Sequence, residues 1–489
     1  MNLRRLRGTV MASVGLTVLA LICAGLVPLV FNLLVGRHYG AGELGEVSVV
    51  LSVTLFLGQV PGTLGAAVTK FVAEAMGRKD EITARAIFQF LFVLNLGVAL
   101  LLAAALLIAT PLIQSTFHIA TTRPLALGAS LVVTYALYIF LKSVYYGMQR
   151  ADTYVRNEFL SDVAFFLLLG AILLFNGKDW LLVPFVLNNL IFAAIGLRDL
   201  SSLFEGFSWR RVRPAPSILR YSLVTGGGTV ASLSRQALVL PIAGLYLVHA
   251  DVGWLAAALS LTAPLALMPR ALSLVLFADM ARLYGAGEAA SVRRLLQNST
   301  EWLIFLLGLL CGLVIINAGT IIGLLFQPEY RQATVAMQLI VLSAYITMVS
   351  NPAIDALSST QYIRIPTIAS WLALMASLGS WFLLIPGLSI NGAASGYLAG
   401  AIVSGGMPTL FAYRRYRMST MMLLRAGIIF GTLIITMFIA GRFQPVTSAV
   451  FAVLVCALYA RKGRSGLQQL ISKYGRGGSH RSRASIPPP

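Results

Sequence analysis

Residues 45–89 read GEVSVVLSVTLFLGQVPGTLGAAVTKFVAEAMGRKDEITARAIFQ, and residues 253–297 read GWLAAALSLTAPLALMPRALSLVLFADMARLYGAGEAASVRRLLQ. Superposed at an offset of 208 without a gap, they are identical at 11 of 45 positions. Gly45 falls on Gly253, Ser52 on Ser260, Thr54 on Thr262 and Pro61 on Pro269. Farther along, Gly77 meets Gly285, Arg85 meets Arg293 and Gln89 meets Gln297. Apolar composition alone supplies Leu and Ala matches, but not aligned Gly, Pro, Arg and Gln. The pattern reads as an internal duplication, and each copy is an apolar run that ends in a glycine break and a short charged segment.

Outward from these two stretches the same texture continues. Of 489 residues, 58% are hydrophobic and only 11% charged, against roughly 25% charged in soluble domains. Apolar stretches of about 20 residues, enough to cross about 30 Å of hydrocarbon as helix, follow one another almost without interruption. The alternating polarity of a membrane barrel is missing, so every backbone polar group must be paired inside a helix. The spans read as 9–36, 43–69, 87–111, 125–148, 160–176, 180–199, 217–248, 253–281, 302–326, 335–358, 365–386, 390–413, 419–441 and 445–460.

The offset carries the second span onto the eighth, an even shift, so the halves have the same orientation. This is a parallel repeat, a device transporters use to rock two lobes about a shared midplane site. The expected fold is an all-α integral membrane protein of about 14 transmembrane helices. Two parallel-related six-helix lobes surround a central cavity, with two C-terminal helices added. The boundaries are an N-lobe at 1–200, a cytoplasmic basic linker at 201–216, a C-lobe at 217–413, two further helices at 414–460 and a disordered basic tail at 461–489. After the second helix of each lobe, EAMGRKDEITARAI and RLYGAGEAASVRRLL read as a glycine break followed by an amphipathic segment at the lipid headgroups.

Charge orients the bundle. With both termini in the cytoplasm, 28 of the 37 Lys and Arg fall in cytoplasmic segments. Only Arg37, Arg123, Lys178, Arg331 and Arg442 fall outside, as the positive-inside rule requires. The net charge of +20 is therefore mostly an orientation signal and a match for anionic lipid heads, not a mark of nucleic-acid binding. The N-terminal MNLRRLR leads into an apolar run without a small-residue cleavage site, so it reads as a retained first helix. Cys23, Cys311 and Cys456 lie in apolar runs with no metal-ligand spacing nearby, and no Gly-rich nucleotide loop occurs. No cofactor is expected. His38, His118, His249 and His480 do not cluster, and no loop is large enough for a catalytic domain, so no enzyme is expected either.

Lys142, Arg235, Arg270 and Arg425 fall inside spans. A charge at mid-bilayer costs at least about 2.5 kcal/mol and persists where it meets a wet cavity or a partner. Arg235 and Arg270, on antiparallel neighbours, can offer two planar forks to a pyrophosphate. The alternative is a structural bridge to Asp162, Asp279 or Asp355. Lys142 and Arg425 sit near cytoplasmic helix ends, where snorkelling competes with substrate binding. Gln59 is a candidate for sugar hydroxyls or for helix-helix packing. Gly226, Gly227 and Gly228 make a bend cheap in helix 7, as a hinge or as close packing. Pro61, Pro241, Pro264 and Pro269 should kink helices 2, 7 and 8. Asp162 and Asp355 are candidates for ion coupling.

The run LLVGRHYGAGELGEVSVVLSVTLFLGQVPGTLGAAVTKFVAEAMGRKD resembles the opening of Wzx-type polysaccharide and oligosaccharide flippases. These fall in the multidrug/oligosaccharidyl-lipid/polysaccharide exporter superfamily. KSVYYGMQRADTYVRNEFLSDVAFFLL, QPEYRQATVAMQLIVLSAY and WFLLIPGLSINGAASGYLAGAI resemble it too. The resemblance implies a cationic central cavity and export of a polyprenyl-pyrophosphate-linked glycan across the cytoplasmic membrane, with a polysaccharide polymerase among its partners. The lipid II branch and the drug-exporting branch both place charges in helix 1. Residues 11–35 carry none, which favours an O-antigen, capsule or exopolysaccharide unit over a small organic solute carried by an ion-coupled exporter.

Overall fold

The computed structural model describes residues 25–119, 121–148, 150–205 and 216–439, and these are helical nearly throughout. The N-lobe contains α1 (Gly25–His38), α2 (Gly40–Gly62), α3 (Gly65–Gly77), α4 (Glu81–Ile108), α5 (Thr110–Phe117), α6 (Arg123–Gly147), α7 (Ala151–Leu174) and α8 (Val183–Asp199). The C-lobe contains α9 (Pro216–Gly244), α10 (His249–Thr262), α11 (Leu267–Gly285), α12 (Ala289–Ile316), α13 (Ala318–Leu325), α14 (Thr334–Ser358) and α15 (Arg364–Tyr416). α16 (Thr420–Ile439) follows. Thirteen of the fourteen expected spans fall on these helices as far as they are described, the first of them only from Gly25 onward. The fourteenth span, most of the linker, the tail, Cys23 and Cys456 lie outside the described residues.

The duplication is visible in the helix bounds. Gly77 and Gly285 end α3 and α11; Glu81 and Ala289 begin α4 and α12; Ile108 and Ile316 end them. Each pair differs by 208 residues, and so do the bounds of the short helices α5 and α13. Those two short helices are not foreseen in the sequence, because their apolar residues continue the preceding spans. The two segments expected as headgroup-lying amphipathic helices are instead the first turns of α4 and α12, each 28 residues long. At α4 the cause is local: the Asp80 carboxylate caps the helix by accepting the Thr83 N–H at 3.0 Å, so the span starts at once.

Prolines act unequally. Helix 2 breaks after Pro61 into α2 and α3, and helix 8 is interrupted by a 3-10 turn, Ala263–Ala266, that contains Pro264. The expected kink in helix 7 takes no such form: α9 runs through Pro241 without interruption. α15 folds back at Ser389, whose backbone is left-handed and non-helical (φ 50°). Gly392, Gly396 and Gly400 let its two limbs close up. A Cβ at Gly392 would overlap the Leu384 carbonyl oxygen, and one at Gly396 or Gly400 would overlap Trp381 or Ser377. Small residues four apart are the usual means of close helix approach in lipid.

The lobes meet through a reciprocal crossing of α2 and α10. A Cβ on Gly45 would overlap the His249 carbonyl oxygen, and one on Gly253 would overlap that of Ala41. Positions 41 and 249 are themselves related by the repeat, so the crossing lies on a pseudo-two-fold axis. Nearby, Tyr330 Oη donates to the Gly36 carbonyl at 3.1 Å and Gln327 Nε2 to that of Arg37 at 3.0 Å. His249 Nε2 lies 2.7 Å from the Phe117 carbonyl. These contacts close the face opposite the basic loops. Toward the basic loops, α3 and α11 make no comparable contact among the described residues, and the lobes meet there through α9, which packs on α3 and sets Gly226 against Thr63.

Because each glycine faces backbone that cannot retreat, Gly45→Ala and Gly253→Ala should each lower the melting temperature, by about 1–3 kcal/mol of overpacking. Gly97→Ala, with nothing within 4 Å of the added carbon, should not. Thermal melts of the three purified variants check this.

Candidate functional site

Charged groups gather in two places, one in each lobe. In the N-lobe, α7 carries Glu158 and Asp162, four residues apart and so on one helix face. Glu158 is 3% and Asp162 9% exposed. α6 supplies Tyr138 and Lys142 at the same spacing. Tyr138 Oη donates to Glu158 Oε1 at 2.7 Å, and Lys142 Nζ donates to Tyr138 Oη at 3.1 Å. The ammonium also lies over the Tyr138 and Tyr154 rings, 5.3 and 5.0 Å from their centroids. From α8, Asn188 Nδ2 donates to Asp162 Oδ1 at 3.1 Å. One oxygen of each carboxylate, Glu158 Oε2 and Asp162 Oδ2, is buried without a hydrogen-bond partner.

Lys142 therefore does not snorkel to the headgroups. It is held among aromatic rings beside two carboxylates, and the charge of Arg270 from the facing lobe also acts on it. Arg270, on α11, is exposed and near enough for its charge to act on the buried Lys142. Gln59 joins the same wall by accepting a long hydrogen bond from Tyr135 Oη at 3.5 Å. Glu158 was not anticipated, because the fifth span was read from residue 160. The helix starts at Ala151, and the Glu158/Asp162 spacing was the available signal.

The second place is inside the C-lobe. Arg235, in the middle of α9, is 4% exposed and lines a cavity of about 230 Å³ with Ser232, Gln236, Thr347, Asn351, Ser370 and Ser404. The notch at Gly400 admits its side chain, since a Cβ there would lie 2.7 Å from Arg235 Cδ. The guanidinium stacks on the Tyr397 ring, 4.5 Å from its centroid, and donates weakly to the Tyr397 carbonyl at 3.4 Å. Among the described residues it enters no ion pair. A second cavity of about 600 Å³ adjoins the first, sharing Ser232, Pro366 and Ser370, and reaches Arg364 at the basic-loop end of α15.

The bridges weighed for Arg235 and Arg270 are not formed. Asp162 is bonded to Asn188, Asp279 lies 3.5 Å from Arg282, and Asp355 bonds Ser273. Arg425 does pair, with Glu301 at 3.6 Å. Arg270 is not among the residues lining the Arg235 cavity, so the two arginines occupy different environments. Gly226 and Gly228 lie against Thr63 and Thr367, with closest approaches of 3.0 and 3.1 Å for an added Cβ, whereas one on Gly227 meets only Trp371 at 4.0 Å. α9 is continuous through all three. Among the described residues no cluster of His, Cys, Asp or Glu is arranged to hold a metal.

Two lobes related by an internal duplication and joined at a pseudo-two-fold crossing define the architecture. The comparisons agree with it. The MatE family model matches residues 17–176. The chain superposes on a multidrug resistance MATE family transporter of the MOP superfamily in an inward-facing conformation, with a TM-score of 0.68 at 12% identity, covering 80% of this chain and 94% of that one. It superposes on the lipid II flippase MurJ in an inward closed conformation with a TM-score of 0.68 at 13% identity, covering 94% and 100%. A MOP superfamily transporter from Pyrococcus furiosus, described as having a binding pocket of reverse polarity that suggests a different function, gives 0.60 at 14%, covering 83% and 95%. No curated protein matches the sequence. The chain thus has the fold of these membrane transporters.

If Lys142, Tyr138 and Glu158 act as one network, removing its members should not be additive. Lys142→Ala and Glu158→Ala should couple by about 1 kcal/mol in a double-mutant cycle of stability, whereas Lys142→Ala and Arg425→Ala, with separate partners, should simply add.

Proposed function

We propose that this chain is a flippase carrying a polyprenyl-pyrophosphate-linked oligosaccharide from the inner to the outer leaflet of the cytoplasmic membrane by alternating access. The observation that carries this reading is Arg235, a buried guanidinium without an acidic partner, aimed into a hydroxyl-lined cavity of a transporter fold. Such a charge is stable only if a wet cavity or an incoming anion compensates it. We assign the pyrophosphate to Arg270, which is exposed on α11, together with Lys142, on which its charge acts, and the sugar hydroxyls to Gln59. The basic loops put the side opposite the α2–α10 crossing toward the cytoplasm, which is where a lipid-linked glycan is loaded.

Export of the pyrophosphate's negative charge toward a positive exterior is downhill by about 2.3 kcal/mol per charge per 100 mV. The membrane potential then supplies part of the drive, and proton or cation exchange at Asp162 or Asp355 the remainder. The small-solute reading of the same fold has one observation in its favour. The Glu158/Asp162 pair in the N-lobe would suit a coupling cation or an organic cation. It leaves Arg235 without a purpose.

Charge reversal at Arg235→Glu together with Arg270→Glu should abolish export of lipid-linked glycan while insertion and melting temperature persist; normal export by that variant would refute the anion-binding role. Gly227→Ala separates hinge from packing at the glycine triplet. Its added carbon touches almost nothing, so a loss of transport rate with unchanged stability identifies a hinge, whereas losses confined to Gly226→Ala and Gly228→Ala identify packing.

A further inference from the structure

We propose that the cavity around Arg235 is a socket for a single acidic sugar of the glycan, one that bears a carboxylate or a phosphate ester, and is separate from the place where the pyrophosphate binds. This rests on the reading of the chain as a carrier of lipid-linked glycan and specifies what part of the cargo the C-lobe recognises. Three observations lead to it. The cavity's volume, about 230 Å³, is below the range of about 300–1,000 Å³ that encloses drug-sized ligands, so it takes one ring and not an oligosaccharide. The polar lining consists of hydroxyls and carboxamides, Ser232, Gln236, Thr347, Asn351, Ser370 and Ser404. These groups both donate and accept, as a ring with several hydroxyls requires, and none of them is acidic.

The third observation is the arginine itself. It is 4% exposed, one face of its guanidinium is covered by the Tyr397 ring, and among the described residues its one long hydrogen bond leaves most of its N–H donors unused. A planar fork with free donors at the edge of a small cavity matches one carboxylate or one phosphoryl group. A pyrophosphate fits the place less well: it brings more than one negative charge against a single cation, and Arg270, exposed on α11, offers a cation outside this cavity. The adjoining cavity of about 600 Å³, where Thr229, Ser358 and Thr367 alternate with Leu233, Ile363 and Ile368, ends at Arg364 and gives the rest of the glycan a route toward the basic loops.

The test uses the purified full-length protein and three probes, glucuronate, glucose and inorganic phosphate, read by the shift in melting temperature with ligand concentration. Glucuronate should stabilise the wild type and the other two should not. Arg235→Gln should weaken glucuronate binding about ten- to a hundredfold, the effect of removing a charge-assisted hydrogen bond. Ser404→Leu, which fills the socket but keeps the charge, should do the same, while Arg270→Gln should leave it intact. Equal stabilisation by phosphate makes the place a general small-anion site, equal stabilisation by glucose removes the role of charge, and no stabilisation by any probe removes the socket; each overturns the proposal. In vesicles, Arg235→Gln should lose flipping of an acidic glycan and keep that of a neutral one, and loss of both overturns it. A wild type that binds glucuronate yet flips no lipid-linked glycan supports the socket and overturns the transport reading alone.

Discussion

The close crossing of α2 and α10 is the contact on which the arrangement of the two lobes depends. Lipid provides no hydrophobic drive between helices, so association relies on backbone approach and on the dispersion gained there. Gly45 and Gly253 provide it reciprocally, each making room for a carbonyl of the other helix. Because the two positions are repeat partners, the contact is symmetric, and a symmetric contact is one about which two similar lobes can pivot. The hydrogen bonds from Tyr330 and Gln327 to the end of α1 lie on the same side of the pivot. On the opposite side the lobes meet through α9, where Gly226 lies against Thr63.

Charge inside the bilayer is treated differently on the two sides of that pivot. In the N-lobe, Lys142, Tyr138, Glu158, Asp162 and Asn188 form a connected network in which cation and carboxylates lie close together. Such a network is largely self-compensated and can exchange a cation or a proton without a large change in local charge. In the C-lobe, Arg235 is held by packing: a ring beneath it, a glycine notch behind it and hydroxyls around it. Among the described residues no carboxylate pairs with it.

The duplication also explains where the repeat has been kept and where it has not. Helix bounds from the end of α3 to α5 and from the end of α11 to α13 hold the 208-residue offset without drift, with Gly77 matched to Gly285 and the positive-φ turn at Lys79 matched to that at Gly287. The candidate-site side chains do not follow the repeat: Gln59 corresponds to an apolar Leu267, and Arg235 and Lys142 sit on helices outside the best-matched stretch. Scaffold positions retained their chemistry, and cavity-facing positions diverged.

Much of this was determined by the sequence alone. Hydrophobic length placed thirteen spans, and the aligned Gly, Pro and Arg exposed the parallel repeat, because bilayer thickness and backbone satisfaction leave a helix little freedom in where it starts and stops. The same residues identified Arg235, Arg270, Lys142 and Asp162 as costly and hence informative. Which of these groups face each other was decided only by the tertiary structure. Arg235 and Arg270 look paired along the chain yet lie in different environments, because the Gly400 notch and the Tyr397 ring, more than 160 residues away in sequence, draw Arg235 into the C-lobe. Glu158 was hidden for a related reason: a helix end is blurred in hydropathy, and only the packing of α6 on α7 brings that carboxylate onto Tyr138 and beside Lys142. Span placement is a local property of apolar length; partnership of buried charges depends on how helices pack, and no local pattern encodes that.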